Sequence, residues 1–560
     1  MKLDFLTFLV LSWLIVTLCE TIWATTYYVS PSGNDDHPGT SAEAAWRTLD
    51  KVNSTDLSPG DKVLFEAGRE FSGHLLLTAE DAGTPTQPVV IGSYGSGRAT
   101  IKAGDGSGVT VQDAAGVVVE NLIVLGNDHR TNVGSGIKIV NTLPHNQKLR
   151  YIRVHNVQAR GFGRKEDPAP EGLQPPDGCG ILVGGDALDK SKSGYEDVRI
   201  TNCVTYQNEY FGILITGYWQ DDPDTYANRD VYVGHCRMYD NPGDPNYFRN
   251  HSGSGILMED VDGGIIEYCE AYNNGYNGGC KVGGPIGIWA AVANNVTIQC
   301  CESHHNRAGK GDGGGFDFDG GTTSSILQYN YSHDNDGVGY LICSYKDAPH
   351  TFHNNIVRYN VSVNDGGAIS FWTGSPKEDP IRDTQIYGNT IFAGRGSAID
   401  FNSGRGIYDT RVCNNLFVTA NNQRLVVGNP DKSTATFVGN VYWSLDGKVD
   451  IAGYKSLEDW QKGTGQEILN GRPVGLVVDP KATDLGSNVT VGDPTKLRTL
   501  TAYRLQENSP LIDAGLDLRR LFGIDVGKRD FYGNPVPQGK GFDIGAHEVV
   551  LEEASRDAQE

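Results

Sequence analysis

A sequence repeat is the feature that most constrains the fold of this chain of 560 residues. One small polar residue recurs between two β-like segments, and successive copies stand 25 to 47 residues apart. The eleven markers are Asn121, Asn156, Cys203, Cys236, Cys269, Cys301, Asn330, Asn360, Asn389, Asn415 and Asn440. A unit of this length cannot bury an apolar face alone, so successive units must stack on one another. The repeat therefore predicts a solenoid.

A second β-like segment, usually preceded by glycine, follows most markers. Examples are Gly255–Glu259, Gly287–Trp289 and Ile369–Trp372. The chain contains 72 glycines and shows no helical period, which is typical of a turn-rich β protein. Blade signatures of a propeller and Leu/Asn repeats of a horseshoe are both missing from the sequence. Several short strands in each unit therefore predict an all-β, single-stranded parallel β-helix.

Four regions follow from these patterns. Residues 1–24 read as a signal peptide, because Lys2 precedes an apolar run from Phe5 to Leu18 and Ala24 offers a cleavage point. We expect an N-terminal cap over 25–110, the β-helix repeats over 111–445 and a loop-rich C-terminal cap over 446–560. No later apolar run is long enough for a membrane span, so we predict a secreted, periplasmic or cell-surface protein.

Charge and cysteine usage narrow the choice of partners. The net charge of −22 argues against nucleic acid, and a polyanion would need a local basic patch or bridging Ca²⁺. Stacked Asn markers are expected to hydrogen-bond along the helix, while the Cys markers pack as structural thiols. The sequence has no CxxC pair, so we do not expect a zinc site at the cysteines.

Three sets of motifs carry a family resemblance. They are YYVSPSGNDDHPGTS with WRTL and PGDKVLF, then DGGGFDFDGG with YNYSHDNDG, and finally SPLIDAG, DFYGN and DIGAHE. Together they resemble the secreted bacterial members of the pectin-lyase-like superfamily of right-handed parallel β-helices. The resemblance covers nearly the whole mature chain and implies that fold. It leaves the reaction open among lyases, glycoside hydrolases, uronan epimerases and non-enzymatic surface proteins.

The segment Gly313–Gly321, GGGFDFDGG, is the strongest candidate for a site. Side chains alternate along a strand, so Phe316 and Phe318 face one side while Asp317 and Asp319 face the other. Such a pair of carboxyl groups would have Cα atoms about 6.5 to 7 Å apart, and crowding should raise one pKa.

Neighbouring coils supply the predicted surroundings of this pair. The outward positions of the second segments bring an acid, two indoles and polar groups to the same face: Glu259, Trp289, Trp372, Asp400 and Asn402. Adjacent turns are expected to add His304, His305, His333, Tyr345 and Lys346. An exposed indole beside carboxylates suits a sugar, since C–H faces stack on rings while hydroxyl groups need acceptors.

We therefore interpret the chain as a glycoside hydrolase acting on a polysaccharide or oligosaccharide without a cofactor. Asp317 and Asp319 would be the acid and base, assisted by Glu259 and His305. The pair Asp317/Asp319, and Asp319 with Glu259 at about 9.6 Å, both lie within reach of the inverting geometry of about 6.5 to 9.5 Å. The predicted substrate-binding residues are Trp289, Trp372, Asp400, Asn402, His304, His333, Tyr345 and Lys346. We expect a monomer.

Two other functions remain open at this stage. A Ca²⁺-dependent polysaccharide lyase would need a base, and Lys281 resembles the Lys of one pectate lyase family. Asp312, Asp317 and Asp319 would then be the calcium ligands. The other alternative is a non-catalytic glycan-binding surface protein. Unsaturated products would indicate a lyase, and binding without any cleavage would indicate the surface protein.

Overall fold

A computed structural model describes residues 24–164, 177–219, 225–281, 283–374, 377–402, 404–428 and 430–550. The predicted signal peptide lies almost entirely outside the described residues. Within them the chain winds through three parallel ladders of strands, and each coil contributes one strand to each ladder in turn. The prediction of an all-β parallel β-helix is therefore confirmed. No helix in these ranges is long and apolar enough to cross a membrane.

The strands are grouped here by ladder. The first ladder consists of Thr26–Val29, Lys62–Glu66, Val89–Tyr94, Val117–Glu120, Lys148–His155, Gly194–Thr201, Asn228–Gly234, Ser254–Glu267, Ile286–Gln299, Ile326–Gln328, Ile356–Arg358, Gln385–Tyr387, Thr410–Cys413 and Ala435–Val438. The second consists of Leu75–Leu77, Val109–Gln112, Ile137–Asn141, Cys179–Gly185, Phe211–Thr216, Ser254–Glu267, Ile286–Gln299, Gly314–Phe318, Val338–Ser344, Gly367–Thr373, Ile399–Asp400 and Val426–Val427. The third consists of Glu70–Ser72, Ala99–Gly104, Leu122–Gly126, Gln158–Arg160, Val204–Tyr206, Arg237–Tyr239, Glu270–Tyr272, Glu302–His304, Tyr331–His333, Val361–Val363, Thr390–Ala393, Leu416–Thr419 and Val441–Ser444.

Two strands and a few small elements depart from this plan. Ser254–Glu267 and Ile286–Gln299, with 14 residues each, turn the corner between the first two ladders and belong to both. A small parallel sheet contains Phe352–His353, Ile381–Arg382 and Ile407–Tyr408, and an antiparallel pair contains Ile468–Leu469 and Arg472–Pro473. The helices are Leu49–Asn53, Leu457–Thr464 and Leu518–Phe522, with 3₁₀ turns at Ala79–Asp81, Pro494–Thr499 and Thr501–Tyr503.

The coils extend beyond the predicted repeat region of 111–445. Strands from Thr26–Val29 onward already pair in the first ladder, so most of residues 25–110 are coils themselves. At the other end, the helix Leu457–Thr464 places Trp460, which is fully buried, against Phe437. The apolar core is thereby closed by an aromatic side chain rather than left open to water.

The marker positions form the predicted ladder between the first and third strands of each coil. From Asn330 to Asn440, each side-chain amide donates to the carbonyl oxygen of the next Asn at 2.9 to 3.1 Å. The last amide, of Asn440, donates to buried Glu467 at 2.7 Å. Cys203, Cys236, Cys269 and Cys301 continue the same row as buried free thiols, as predicted. The ladder satisfies polar groups that would otherwise be buried without partners.

Candidate active site

The strand Gly314–Phe318 holds the predicted acid pair on the outer side of the second ladder. Phe316 points inward and stacks on Tyr340, with ring centroids 5.3 Å apart. Asp317 faces outward, beside Trp289 on one neighbouring strand and Leu341 on the other. Asp319 follows the strand, and its backbone N–H still donates to the carbonyl oxygen of Ala290 at 2.9 Å. The alternation expected from the sequence is therefore present.

The carboxyl group of Asp317 is buried away from water. Its residue is only 2% exposed, and its Oδ1 atom is buried without a hydrogen-bond partner. Burial, reinforced by the negative charges of Asp319 and Asp312, raises the pKa of Asp317 well above its ordinary value. A carboxyl group with a raised pKa keeps its proton to a higher pH than usual and is suited to donate it.

Asp319 is half-buried and better supplied with hydrogen bonds. Burial raises its pKa to about 6, against the effect of a thiol hydrogen bond from Cys343 and a backbone N–H from Gly320. Asp312 lies close enough to raise the pKa of both acids, and burial raises its own pKa. Three carboxyl groups thus share one small region, and Asp319 ionises more readily than Asp317.

Glu259 lies on the outward column of Asp319, separated from it by one coil. Strand register pairs Glu259 with Ala291, so only a small side chain stands between the two acids in this column. The hydroxyl of Thr216 donates to Glu259 at 2.5 Å. Burial raises the pKa of Glu259 to about 7, with Asp260 and Asp319 adding to the shift and Lys192 opposing it. Glu259 and Asp319 therefore face a common gap.

Tyr345 lies beside these acids as predicted. Burial raises the pKa of its hydroxyl well above the usual value, and the charges of Asp319 and Glu259 add to the shift. Its ring covers Gly320 so closely that a Cβ there would lie 2.7 Å from the ring. Trp219 stacks on Tyr345, with ring centroids 6.4 Å apart.

Trp289 is not an exposed sugar platform, and that part of the prediction is wrong. The residue is only 2% exposed, with its ring packed against Phe211 and His251 at centroid distances of 6.4 and 4.9 Å. Long loops cover this outward face, which a strand pattern cannot reveal. The indole Nε1 is buried without a hydrogen-bond partner, as is Asp317 Oδ1 on the neighbouring strand.

Trp372 keeps the exposure expected of a platform. It is 44% exposed and pairs with Cys343, which places it two coils from Asp319 on the same column. Asp400 lies three strands beyond Asp317 in its column, about 14 Å away along the stack. Asn402 is exposed, and its backbone N–H donates to Asp400 at 2.6 Å. The last two residues lie at the far end of the face.

The histidines do not border the acid pair, contrary to the sequence prediction. His304 and His333 are buried on the third ladder, stacked with ring centroids 4.7 Å apart. His305 contacts His304 there through ring nitrogens 2.8 Å apart. The third strand of each coil faces a different side of the β-helix from the second, and the repeat alone does not distinguish the two faces. His305 is therefore not placed to assist Asp317 and Asp319.

The residues named for a lyase are not gathered into a basic or calcium-binding centre. Lys281, the predicted base, is exposed in the loop before Ile286–Gln299, as predicted. Lys346, predicted to bind substrate, is 61% exposed and pairs with Glu378 at 3.6 Å. Among the described residues, two groups have three possible metal ligands within 4.8 Å, Glu302/His304/His333 and His305/His333/Asp334. Asp312, Asp317 and Asp319 form no such group.

Sequence reasoning missed an aromatic wall on the N-terminal side of the acids. His251, Tyr247 and Arg164 come from loops, with the Arg164 guanidinium 3.7 Å from the centre of the Tyr247 ring. Arg164 Nη1 and His251 Nδ1 are buried without hydrogen-bond partners, like Trp289 Nε1 and Asp317 Oδ1. Buried polar atoms are normally satisfied, so four together are typical of a place where a polar ligand completes the bonding. Loops of variable length carry no periodic signal that could have revealed them.

Comparison with known proteins agrees with the fold. No family model matches the sequence. The chain is 24% identical over 492 residues to a lacto-N-biosidase of Bifidobacterium longum subsp. longum, covering 73% of this chain and 30% of that protein. It thus spans less than a third of the length of this relative. The crystal structure of a GH136 lacto-N-biosidase from Eubacterium ramulus, as its selenomethionine derivative, matches with a TM-score of 0.52 and 21% identity over 76% of this chain and 68% of that one. The chain therefore shares the fold of that crystal structure, and this fold is the parallel β-helix expected from the repeat.

Proposed function

We propose that this chain is a glycoside hydrolase that acts on oligosaccharides. The proposal rests on two acids that stand two residues apart in the chain, the buried Asp317 and the half-buried Asp319. Environments that separate the pKa values of two neighbouring carboxyl groups create one proton donor and one anionic group, which is the requirement for glycosidic bond cleavage. The similarity to two proteins named lacto-N-biosidase supports hydrolysis over elimination.

Each acid has a role that follows from its surroundings. Asp317, protonated beside the indole of Trp289, donates a proton to the leaving oxygen. Asp319, which accepts the Gly320 N–H and ionises near pH 6, supplies the negative charge as base or nucleophile. Glu259 faces the same gap from the far side of Ala291 and hydrogen-bonds substrate or water. The unpartnered donors on the aromatic wall bind sugar oxygens.

The substrate class follows from the relatives' names and from the exposed ring of Trp372. We propose an oligosaccharide that contains lacto-N-biose, with Trp372 as a stacking surface for a neighbouring sugar. An exposed indole provides an apolar face for sugar C–H groups, while the acids bind hydroxyl groups. The N-terminal run from Phe5 to Leu18 supports export, so we place the reaction outside the cytoplasm.

The test is digestion of a glycan panel that includes oligosaccharides ending in lacto-N-biose, uronate polymers and plant polysaccharides. Hydrolysis is expected to release lacto-N-biose and a new reducing end without the absorbance of an unsaturated uronate. A rise in that absorbance would overturn hydrolysis in favour of a lyase. Binding without cleavage of any glycan would favour the non-catalytic surface protein. The double variant Asp317→Asn with Asp319→Asn is the control for contaminating activity.

A further inference from the structure

A second cluster of ionisable side chains lies on the third ladder, where the proposed hydrolase has no use for it. It spans three adjacent strands: Glu302 pairs with Glu270 on one neighbouring strand, and His304, two residues after Glu302, pairs with His333 on the other. All four residues are at most 6% exposed. From this geometry we propose a divalent transition-metal site of the zinc type, with Glu302, His304 and His333 as its protein ligands.

The spacing of the donor atoms supports metal coordination. His304 Nε2 lies 3.3 Å from Glu270 Oε1, and His333 Nε2 lies 3.3 Å from Glu302 Oε1. Both distances are long for hydrogen bonds to a carboxylate. The distance between His333 Nε2 and Glu302 Oε1 matches the edge of a tetrahedron with metal–ligand bonds of about 2.0 to 2.1 Å, which is about 3.3 Å. Glu302, His304 and His333 also hold their donor atoms within 4.8 Å of one another.

The outer partners of these ligands are those of a metal site. Histidine ligands generally bond through the second ring nitrogen to a carboxylate or another polar group, and ligating carboxylates are hydrogen-bonded in turn. His333 Nδ1 lies 3.0 Å from Asp334, and His304 Nδ1 lies 2.8 Å from a ring nitrogen of His305. Each histidine therefore points Nε2 toward the proposed metal position, while Nδ1 contacts a second polar side chain.

The carboxylates are anchored by the C-terminal tail. Glu302 accepts backbone N–H groups of Val491 and Gly492, both at 2.7 Å. Arg237 pairs with Glu270 at 2.6 Å and donates to the carbonyl oxygen of Gly492 at 2.9 Å. A divalent cation would neutralise the negative charge of Glu302, whose carboxylate is fully buried. The ion would thereby fasten residues 488–492 to the third ladder.

Nitrogen and carboxylate ligands on a rigid sheet select zinc or a similar first-row ion rather than calcium, which takes oxygen ligands. The expected role is structural, because the three ligands are buried on the third ladder, away from the acid pair. The inference is independent of the proposed function, since the site and the acid pair lie on different ladders.

The experiment measures metal in the full chain. Protein unfolded with a chelator is refolded with or without Zn²⁺, passed through gel filtration and analysed by elemental mass spectrometry. We expect one zinc per chain and a higher melting temperature after refolding with zinc. Replacing zinc by Co²⁺ should give the visible absorption of a tetrahedral ion. Zinc content no higher than in the ligand variant, with equal melting temperatures in zinc and chelator, would overturn the site.

Matched variants separate this site from adventitious binding. The variant His304→Gln with His333→Gln should lose the bound zinc, whereas His37→Gln with His74→Gln removes two exposed histidines and should retain it. If the ligand variant does not fold, the cobalt spectrum of the unmodified chain still decides. Asp317→Asn should keep full zinc content, so failure of the proposed hydrolase and failure of the metal site are told apart.

Discussion

Trp289 and Asp317 lie side by side on adjacent strands, and each carries a buried polar atom without a hydrogen-bond partner. The Trp289 ring contributes to burying the carboxyl group of Asp317. This burial raises the pKa of Asp317. Trp289 therefore contributes to the site by burying Asp317, and not as an exposed ring on which a sugar stacks. Five predictions follow from this region and from the ladder that supports it.

Asp317→Asn and Asp319→Asn should each lower kcat by about 10²- to 10⁴-fold, because each removes a group that transfers a proton or bears charge in the transition state. Steady-state kinetics on the oligosaccharide found in the panel measures the loss. Asp409→Asn, an exposed acid in a turn of the β-helix, is the matched control and should leave kcat unchanged. Full activity in both site variants would contradict the assignment.

The two indoles should respond differently to truncation. Trp289→Ala is expected to lower the free energy of unfolding by about 3 to 5 kcal/mol, as for other large buried aromatic residues. Trp372→Ala should leave stability nearly unchanged and raise KM, because this 44% exposed ring lies where substrate can stack. Thermal unfolding and steady-state kinetics of the two variants test the contrast. An unchanged KM for Trp372→Ala would remove its role in binding.

Activity should follow a bell-shaped pH profile. On the acidic side, kcat/KM should rise through about pH 6 as Asp319 ionises. On the alkaline side it should fall as Asp317, with its raised pKa, loses the proton that it donates. The coupled pair titrates as a unit, so the two limbs describe both acids together. A profile flat from acid to alkaline pH would argue against proton transfer by this pair.

Stability should fall as pH rises through the pKa of Glu259. Folding raises that pKa from 4.5 to about 7, so the folded state binds the proton more tightly than the unfolded state. The stabilisation is complete below the unfolded value and is lost progressively as pH increases to about 7 and above. Glu259→Gln cannot titrate and should show a smaller decrease in unfolding free energy over this range. Denaturant unfolding at several pH values checks the slopes, and equal slopes would contradict the prediction.

The Asn ladder should be sensitive at every internal position. Asn360→Ala removes an amide that donates to Leu327 and Asn389, and it removes the acceptor of the Asn330 backbone N–H and of one Asn330 side-chain N–H. Each buried group left unpaired destabilises the fold by about 1 to 3 kcal/mol. Asn277→Ala, at an exposed loop position, serves as the control with little expected effect. Thermal unfolding compares the two, and similar melting temperatures would show that the ladder adds no net stability.

The sequence determined the architecture of this protein because its signals are local and periodic. Marker spacing, glycine before the second strand and alternation around Asp317 and Asp319 each reflect a repeat that must stack in register. The column through Glu259, Ala291, Asp319 and Trp372 is therefore predictable from the sequence. The Asn ladder followed in the same way, since equivalent positions of successive coils are neighbours.

Only the tertiary structure decided which loops cover which face. Trp289 is buried because segments from other coils lie over its strand, and their lengths have no period. His304 and His333 belong to the third ladder, a distinction that depends on where each coil bends rather than on residue type. The proposed metal site arises from the same bends, which bring two glutamates, two histidines and the distant tail at Val491 together. Burial of Asp317, and hence its raised pKa, likewise depends on neighbours distant in sequence.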